Sequence, residues 1–275
     1  MQITMNNGYD KNCEAMFGDL VQEIFDFSFA PWFERKLWND RYESYSIIEN
    51  KRMPANICIY KTEMNVSGSP FNSLQFGGVA TRKDERGKGL SRLLMEHILA
   101  KYPGIPAFLG ANPSVTEFYP RFGFRPVQTY RPFIETAIEN GNCESIKLCP
   151  DDAALINAIH SRKMYSHAMD SLNTQSIQIF HLLLDYPDAI YKLPGCGAVV
   201  IAEQKEDELF IADVIAQAPV RFDAIQKELP FKAVRIVEFG FNPDWKPVDM
   251  RREPYFIRGE WNLPTKFRFP IMSEI

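Results

Sequence analysis

The amino-acid sequence predicts an α+β fold, a mixed α/β sheet carrying helices, on three observations. Helical patterns and short strand-like runs alternate along all 275 residues. Three of the strand-like runs follow one another between tight turns, as in an antiparallel meander. The third passes through a polar, glycine-bearing loop directly into an amphipathic helix.

In chain order, residues 13–27 place Met16, Leu20, Val21, Ile24 and Phe25 at helical spacing. Residues 45–48, 56–66 and 73–81 read as strands, separated by Glu49-Asn50-Lys51-Arg52 and Ser67-Gly68-Ser69-Pro70, both good turns. The loop 82–89 leads into a helix at 90–99, with Leu90, Leu93, Leu94 and Ile98 on one face. Tyr102-Pro103-Gly104-Ile105-Pro106 breaks that helix, and 107–111 is a short buried strand. Ser114-Val115-Thr116-Glu117 is a capping-box pattern for a further short helix, unless Asn112 caps it with Pro113 at the first position. That helix ends at Phe122-Gly123, and 124–130 is extended.

Glu139-Asn140-Gly141-Asn142 is turn-rich and marks a boundary between domains 1–140 and 141–275. Beyond it, helical patterns fall at 151–160, 176–184 and 220–229, and strand-like runs at 198–203, 209–216 and 233–241. Residues 245–275 carry four prolines and many aromatics, and are expected to wrap over a surface without adding regular elements.

Composition narrows the function classes. With 45% hydrophobic and 24% charged residues the chain is of globular type. Thirty-one Lys+Arg against 35 Asp+Glu give a net charge of −4, which argues against a nucleic-acid partner. The whole excess lies in residues 141–275, with 15 basic and 19 acidic side chains, since residues 1–140 hold 16 of each. No apolar stretch approaches the roughly 20 residues of a membrane helix. The start, MQITMNNGYDKN, has neither the basic residues nor the apolar run of a signal peptide. The expectation is a cytoplasmic protein with no membrane partner. Cys13, Cys58, Cys143, Cys149 and Cys196 form no CxxC, and His97, His160, His167 and His181 do not cluster. Reduced thiols and no metal site are expected.

The chemistry concentrates in Val79-Ala80-Thr81-Arg82-Lys83-Asp84-Glu85-Arg86-Gly87-Lys88-Gly89-Leu90-Ser91-Arg92. A strand, a loop and a helix N-terminus in succession aim free N–H groups at one spot, which suits a phosphate or pyrophosphate. Gly87 and Gly89 allow close approach of the backbone. Arg82, Lys83, Arg86, Lys88 and Arg92 add positive charge. A P-loop would need GxxxxGK[ST], which is missing. A dinucleotide fingerprint would need a third glycine where Arg92 stands, and a βαβ unit in place of antiparallel strands. A charged turn capping an ordinary helix remains open on this segment alone.

A second segment decides between these readings: Ala107-Phe-Leu-Gly-Ala-Asn112-Pro-Ser-Val-Thr-Glu-Phe-Tyr119-Pro-Arg-Phe-Gly123-Phe124. Together the two segments resemble the GNAT superfamily of N-acetyltransferases over roughly residues 45–130. The family's acyl-CoA motif, Q/R-x-x-G-x-G/A, falls on Arg86-Gly87-Lys88-Gly89-Leu90-Ser91, with Ser91 where glycine or alanine is usual. Its later pattern, N-x(6)-Y-x-x-x-G-F, falls on Asn112, Tyr119, Gly123 and Phe124.

The resemblance implies a GNAT acyl-CoA N-acyltransferase fold and acetyl-CoA as cosubstrate. Val79, Ala80 and Thr81 would present their backbone to the pantetheine arm, Arg86 to Ser91 would hold the pyrophosphate, and Asn112 would bond the pantetheine or the acetyl carbonyl. Tyr119 would be the catalytic acid, because a phenol with reference pKa near 10 stays protonated at neutral pH and can protonate the departing thiolate. On spacing alone Tyr119 also reads as packing beside Phe118 and Phe122. No general base is identified.

Residues 209–241 repeat the strand–loop–helix–strand order with Gln217-Ala218-Pro219 in place of the glycine loop. The C-terminal half therefore reads either as a degenerate GNAT-like α+β domain without the cradle or as an unrelated one. The plan also resembles the larger Eis-type acetyltransferases, in which the terminal carboxylate lies in the active site; that likeness would bring Ile275 inward.

The expected activity is transfer of acetyl from acetyl-CoA to a primary amine of a small molecule or peptide, with no covalent enzyme intermediate. The alternative is a catalytically inactive acyl-CoA-binding regulatory protein. The acidic second half favours a cationic amine such as a polyamine, an aminoglycoside or a lysine-bearing peptide. The C-terminal aromatics leave room for a homodimer.

Overall fold

The computed structural model describes residues 2–6, 10–139, 141, 144–164, 166–245 and 249–275. Asn140 and Asn142 of the expected boundary turn lie outside the described residues. The elements are β1 (Ile3–Asn6), α1 (Lys11–Phe25), α2 (Ala30–Glu34), β2 (Tyr42–Glu49), β3 (Arg52–Val66), β4 (Ser69–Thr81), α3 (Leu90–Lys101), β5 (Ala107–Gly110), β6 (Arg125–Ile138), β7 (Ile146–Lys147), α4 (Ala153–Ser161), β8 (Met169–Leu172), α5 (Gln175–Leu184), β9 (Ile190–Leu193), β10 (Ala198–Lys205), β11 (Glu208–Ile215), α6 (Phe222–Glu228), β12 (Val234–Phe239) and β13 (Asp249–Arg258). No described helix is long and apolar enough to cross a membrane.

The strands form one mixed sheet in the order β1-β2-β3-β4-β5-β13-β6-β12-β11-β10-β9-β7, with β8 added to β3. The expected meander is β2-β3-β4, antiparallel throughout. A helix then connects β4 to a parallel β5, and a second helix connects β11 to a parallel β12. The last strand of each half completes the other half. β6 pairs with β12, β13 pairs with β5, and β6 and β13 pair with each other.

Residues 249–258 therefore correct the expectation that the C-terminal segment adds no regular element. Pro254 argued against a strand there. However, β5 reaches only residues 255–258 of β13, so Pro254 faces a paired neighbour on one side alone among the described residues. A missing N–H is tolerated at such a place. The helix expected after Asn112 is also corrected: the chain makes two 3₁₀ turns, Pro113–Val115 and Tyr119–Phe122. Pro120 lacks the N–H that a continuous helix would use, and Gly123 ends the second turn at φ +80°.

Alternation along β3 splits the core of the first half. Ile57 and Ile59 pack with Leu94, Met95 and Ile98 of α3 on one face. Cys58 and Tyr60 point to the other face, where they meet Phe17 and Leu20 of α1, Trp32 of α2 and Ile177 of α5. At about 25 cal/mol per Å² of apolar surface, burying one such side chain contributes roughly 1.5–3 kcal/mol. A buried ion cluster lies within the second half: Arg162 is 3.1 Å from Asp170 of β8 and 3.6 Å from Asp213 of β11.

Candidate active site

The site begins where two parallel strands part. β4 and β5 pair only at Leu74–Ala107 and Gln75–Phe108, although β4 continues to Thr81 on its other edge against β3. Val79, Ala80 and Thr81 thus lie on a strand whose ladder to β5 has already ended. Directly after them, residues 83–85 make a 3₁₀ turn and the chain enters α3.

The loop has the form of an anion cradle. Gly87 and Gly89 adopt φ +80° and +79°, and a Cβ at either would meet nothing within 4 Å. Gly89 is the N-cap of α3 and supplies no side chain to its first turn, so the N–H groups there are left for a ligand. Arg86, Lys88 and both glycines are exposed and Leu90 is buried beneath them. Lys88 pairs with Glu85 at 2.7 Å, and Arg52 holds Asp84 at 2.8 Å, fixing the turn. Arg82 is turned away from the loop, donating to the Met53 carbonyl and pairing with Glu23. Ser91 takes the motif position usually held by glycine or alanine, and its hydroxyl bonds the Thr81 hydroxyl at 2.6 Å, joining strand to helix.

Tyr119 and Asn112 are placed differently from each other. Tyr119 is buried on the α3 face of the sheet, its ring 5.3 Å from Phe118 and 5.6 Å from Phe256. Burial pushes its phenol up to about 12, so it keeps its proton throughout the physiological range. Asn112 is exposed; its side-chain oxygen accepts from the Ser114 N–H and hydroxyl at 3.0 and 2.9 Å. It caps the turn, with Pro113 behind it.

On the opposite face, residues 271–275 run onto β4. The register of β3 and β4 shifts between Asn56 and Cys58, bulging the strand at Gly77-Gly78. A Cβ on Gly77 would stand 2.5 Å from the Ile275 main-chain oxygen. Gln75, with its amide oriented to satisfy both partners, donates to the Ser273 carbonyl and accepts from the Ile275 N–H, each at 2.9 Å. His181 of α5 faces the Glu274 carbonyl at 2.7 Å and the Asp185 carboxylate at 2.5 Å. Thr174 bonds Ser273 at 3.0 Å.

The held tail forms part of the wall of a cavity of about 460 Å³ whose lining includes Phe17, Phe29, Trp32, Phe180, Gly78 and Ile275. The indole N–H of Trp32 is buried there without a hydrogen-bond partner among the described residues. Tyr119 and Ile275 therefore occupy opposite faces of the sheet near the place where β4 leaves β5.

Residues 11–127 match the family model described as an acetyltransferase (GNAT) domain. This part of the chain is a GNAT domain. No curated protein matches the sequence. Among solved structures, a conserved Enterococcus faecalis V583 protein described as a probable N-acyltransferase is 15% identical, with TM-score 0.64 over 94% of this chain and 73% of its own. Eis1 from Mycobacterium abscessus is 14% identical, with TM-score 0.62 and the same coverage. A GCN5-related N-acetyltransferase from Kribbella flavida is 15% identical, with TM-score 0.57 over 94% and 72%. At these identities the likeness is one of fold, and it extends past the GNAT domain into the second half.

Sequence reasoning missed Gln75, the Gly77-Gly78 bulge, His181 and the aromatic cavity. Two adjacent glycines within a strand signal a bulge or a close backbone approach, and that signal was present. Nothing in the spacing of Phe17, Phe29, Trp32 and Phe180 indicates that they converge.

Proposed function

We propose that this chain is an acetyl-CoA-dependent N-acetyltransferase acting on a primary amine of a small molecule or peptide, with residues 1–140 as catalytic domain. The carrying observation is the meeting of four features: the glycine cradle at α3, the parting of β4 from β5, the bulge at Gly77-Gly78 and the cavity beyond it. When bound, the thioester supplies an activated acetyl group. The Gly87–Ser91 backbone would hold its phosphates, and the open edge of residues 79–81 would hold its pantetheine arm.

The chain's own groups divide the proton work. Tyr119, kept neutral by burial, donates to the leaving thiolate. The proton that an ammonium must lose before it attacks can pass to a carboxylate at the cavity, whose lining includes Asp185 and Glu274. Asn112, already capping Ser114 with its oxygen, retains its amide N–H₂ for the pantetheine.

Residues 141–275 are a second, degenerate GNAT-like domain in this reading. The β11–α6–β12 connection repeats β4–α3–β5 without its glycines, and the same domain supplies α5, whose His181 holds the tail. The alternative of an inactive acyl-CoA-binding regulator draws no support from the family match.

Thermal-shift titration with acetyl-CoA, CoA, NAD and ATP tests the reading. At about 100 times its dissociation constant a ligand adds roughly 2.7 kcal/mol. Acetyl-CoA and CoA alone should raise the midpoint. A response confined to NAD or ATP overturns the assignment.

A further inference from the structure

One peptide unit of the tail is gripped from two sides. The Glu274 carbonyl faces Nε2 of His181 at 2.7 Å, and the N–H of the same peptide, on Ile275, donates to Gln75 at 2.9 Å. The carbonyl and N–H of a trans peptide point in opposite directions, so α5 and β4 hold the Glu274–Ile275 unit between them. Gln75 belongs to the first half and His181 to the second. The side chain that Gly77 lacks leaves the space for this unit, and Ile275 in turn lines the cavity beside Gly78.

The two grips differ chemically. Gln75 carries a neutral amide, which does not titrate. His181 has both ring nitrogens on oxygens: Nε2 on the Glu274 carbonyl and Nδ1 on the Asp185 carboxylate at 2.5 Å. A carbonyl and an ionised carboxylate can only accept. Both contacts therefore need an N–H from the ring, and a neutral imidazole has one to give. A hydrogen bond to an ionised partner is roughly twice as strong as one to a neutral partner, so the remaining proton stays on Nδ1 against Asp185. Nε2 then turns a lone pair toward the Glu274 oxygen. Deprotonation is thus felt at the tail and not within the helix.

The groups around the ring do not duplicate this chemistry. The cavity lining adds Glu274 from the tail and Tyr42 from β2, whose phenol burial keeps protonated. From α1 and α2 it receives Phe17, Val21, Phe25 and Trp32, while Glu34 at the end of α2 is exposed. Helix α4 packs through Leu155 and Ile159, and its His160 is exposed. Tyr186, next to Asp185, has its phenol raised to about 12 by burial and by Asp185, Glu203 and Glu274, against Arg268. Among the described residues lining the cavity, His181 is the one imidazole, the side chain that changes charge between about pH 5 and 8.

We propose that His181 is the positioning residue for the tail wall of the site, and that Asp185 decides which proton the ring loses. Doubly protonated, the ring holds the Glu274–Ile275 peptide against β4. When Nε2 gives its proton to water, Gln75 alone grips that peptide, and the wall loosens as pH rises through the imidazole range. An effect on rate rests on the transfer reading above; the grip itself does not.

The test follows the ring and the tail in the full chain without substrate. Long-range proton–nitrogen correlation spectra of His181 should show both nitrogens protonated at about pH 5 and the Nδ1–H tautomer at about pH 8.5. Over the same interval the amides of residues 271–275 should lose at least fivefold of their hydrogen-exchange protection, after correction for intrinsic rates. His181→Gln supplies an N–H₂ donor that does not titrate, and should keep the protection at both pH values. Asp185→Asn removes the carboxylate that selects Nδ1–H, and should give the Nε2–H tautomer at high pH and abolish the fall. An Nε2–H tautomer in the wild type at high pH overturns the proposal. So does protection that is independent of pH, or an equal fall in His181→Gln. Thermal shift with acetyl-CoA is a separate readout: its absence beside the expected spectra removes the transfer reading and leaves the grip standing.

Discussion

Gly77 and Ile275 share one space: a Cβ on Gly77 would lie 2.5 Å from the main-chain oxygen of Ile275 and 2.7 Å from its carbonyl carbon. The two nearest of these atoms are backbone, with the Ile275 Cγ1 also at 2.7 Å, so a side chain at 77 displaces the tail. Gly77→Ala should lower kcat by tenfold or more while acetyl-CoA still raises the thermal midpoint. Steady-state kinetics beside a thermal-shift titration separates the two effects.

The tail itself can be removed. Deleting residues 273–275 takes away the partners of Gln75, Thr174 and His181 and should reduce turnover by about 10²-fold, the lower range for a lost acid–base group. An unchanged kcat would show that the tail is not needed for turnover. His181→Ala should give a smaller loss in the same direction, because Gln75 and Thr174 still hold Ser273.

Tyr119→Phe removes the proposed acid and keeps the ring that packs on Phe256. The expected loss in kcat is about 10²- to 10⁴-fold, with acetyl-CoA affinity unchanged. Because burial lifts this phenol to about 12, the wild-type rate should show no alkaline decline from Tyr119 below pH 11. A limb titrating near 10 would mean that the phenol is solvated in the working enzyme.

Glu43 sets part of the acid stability. Burial opposes its charge, but hydrogen bonds from Tyr102, Tyr45 and Lys61 outweigh that and hold the carboxyl at about 2, below an ordinary 4.5. Its contribution is fully present above about 4.5 and disappears as pH falls toward 2, amounting to about 2–3 kcal/mol. Glu43→Gln should lower the midpoint at pH 7 and flatten the loss of stability between pH 4.5 and 2, measured by denaturant unfolding.

Arg162 balances two carboxylates in the interior, and burial already raises the Asp213 carboxyl despite the guanidinium. Arg162→Met removes the guanidinium from both acids and should destabilise by about 3–5 kcal/mol. The double variant Arg162→Met with Asp213→Asn should recover part of that loss.

The sequence alone determined the main elements of the first half and the position of its glycine loop, but not β1, α2 or the 3₁₀ turns after Asn112. Strand alternation at residues 56–66, helical spacing at 90–99 and the glycines between are local properties, set by side-chain period and backbone sterics within a few residues. The second half was legible in the same way, as at 198–203 and 220–229. What only the tertiary structure decided is non-local. β13 became a strand because β5 and β6 receive it, although Pro254 made its own sequence a poor one. The tail reached the site because Gly77 leaves room for it and His181 and Gln75 bind it, with partners almost 100 or more residues apart in the chain. The aromatic cavity arises from α1, α2 and α5 converging on one face of β4, a juxtaposition fixed by packing with no signature in spacing.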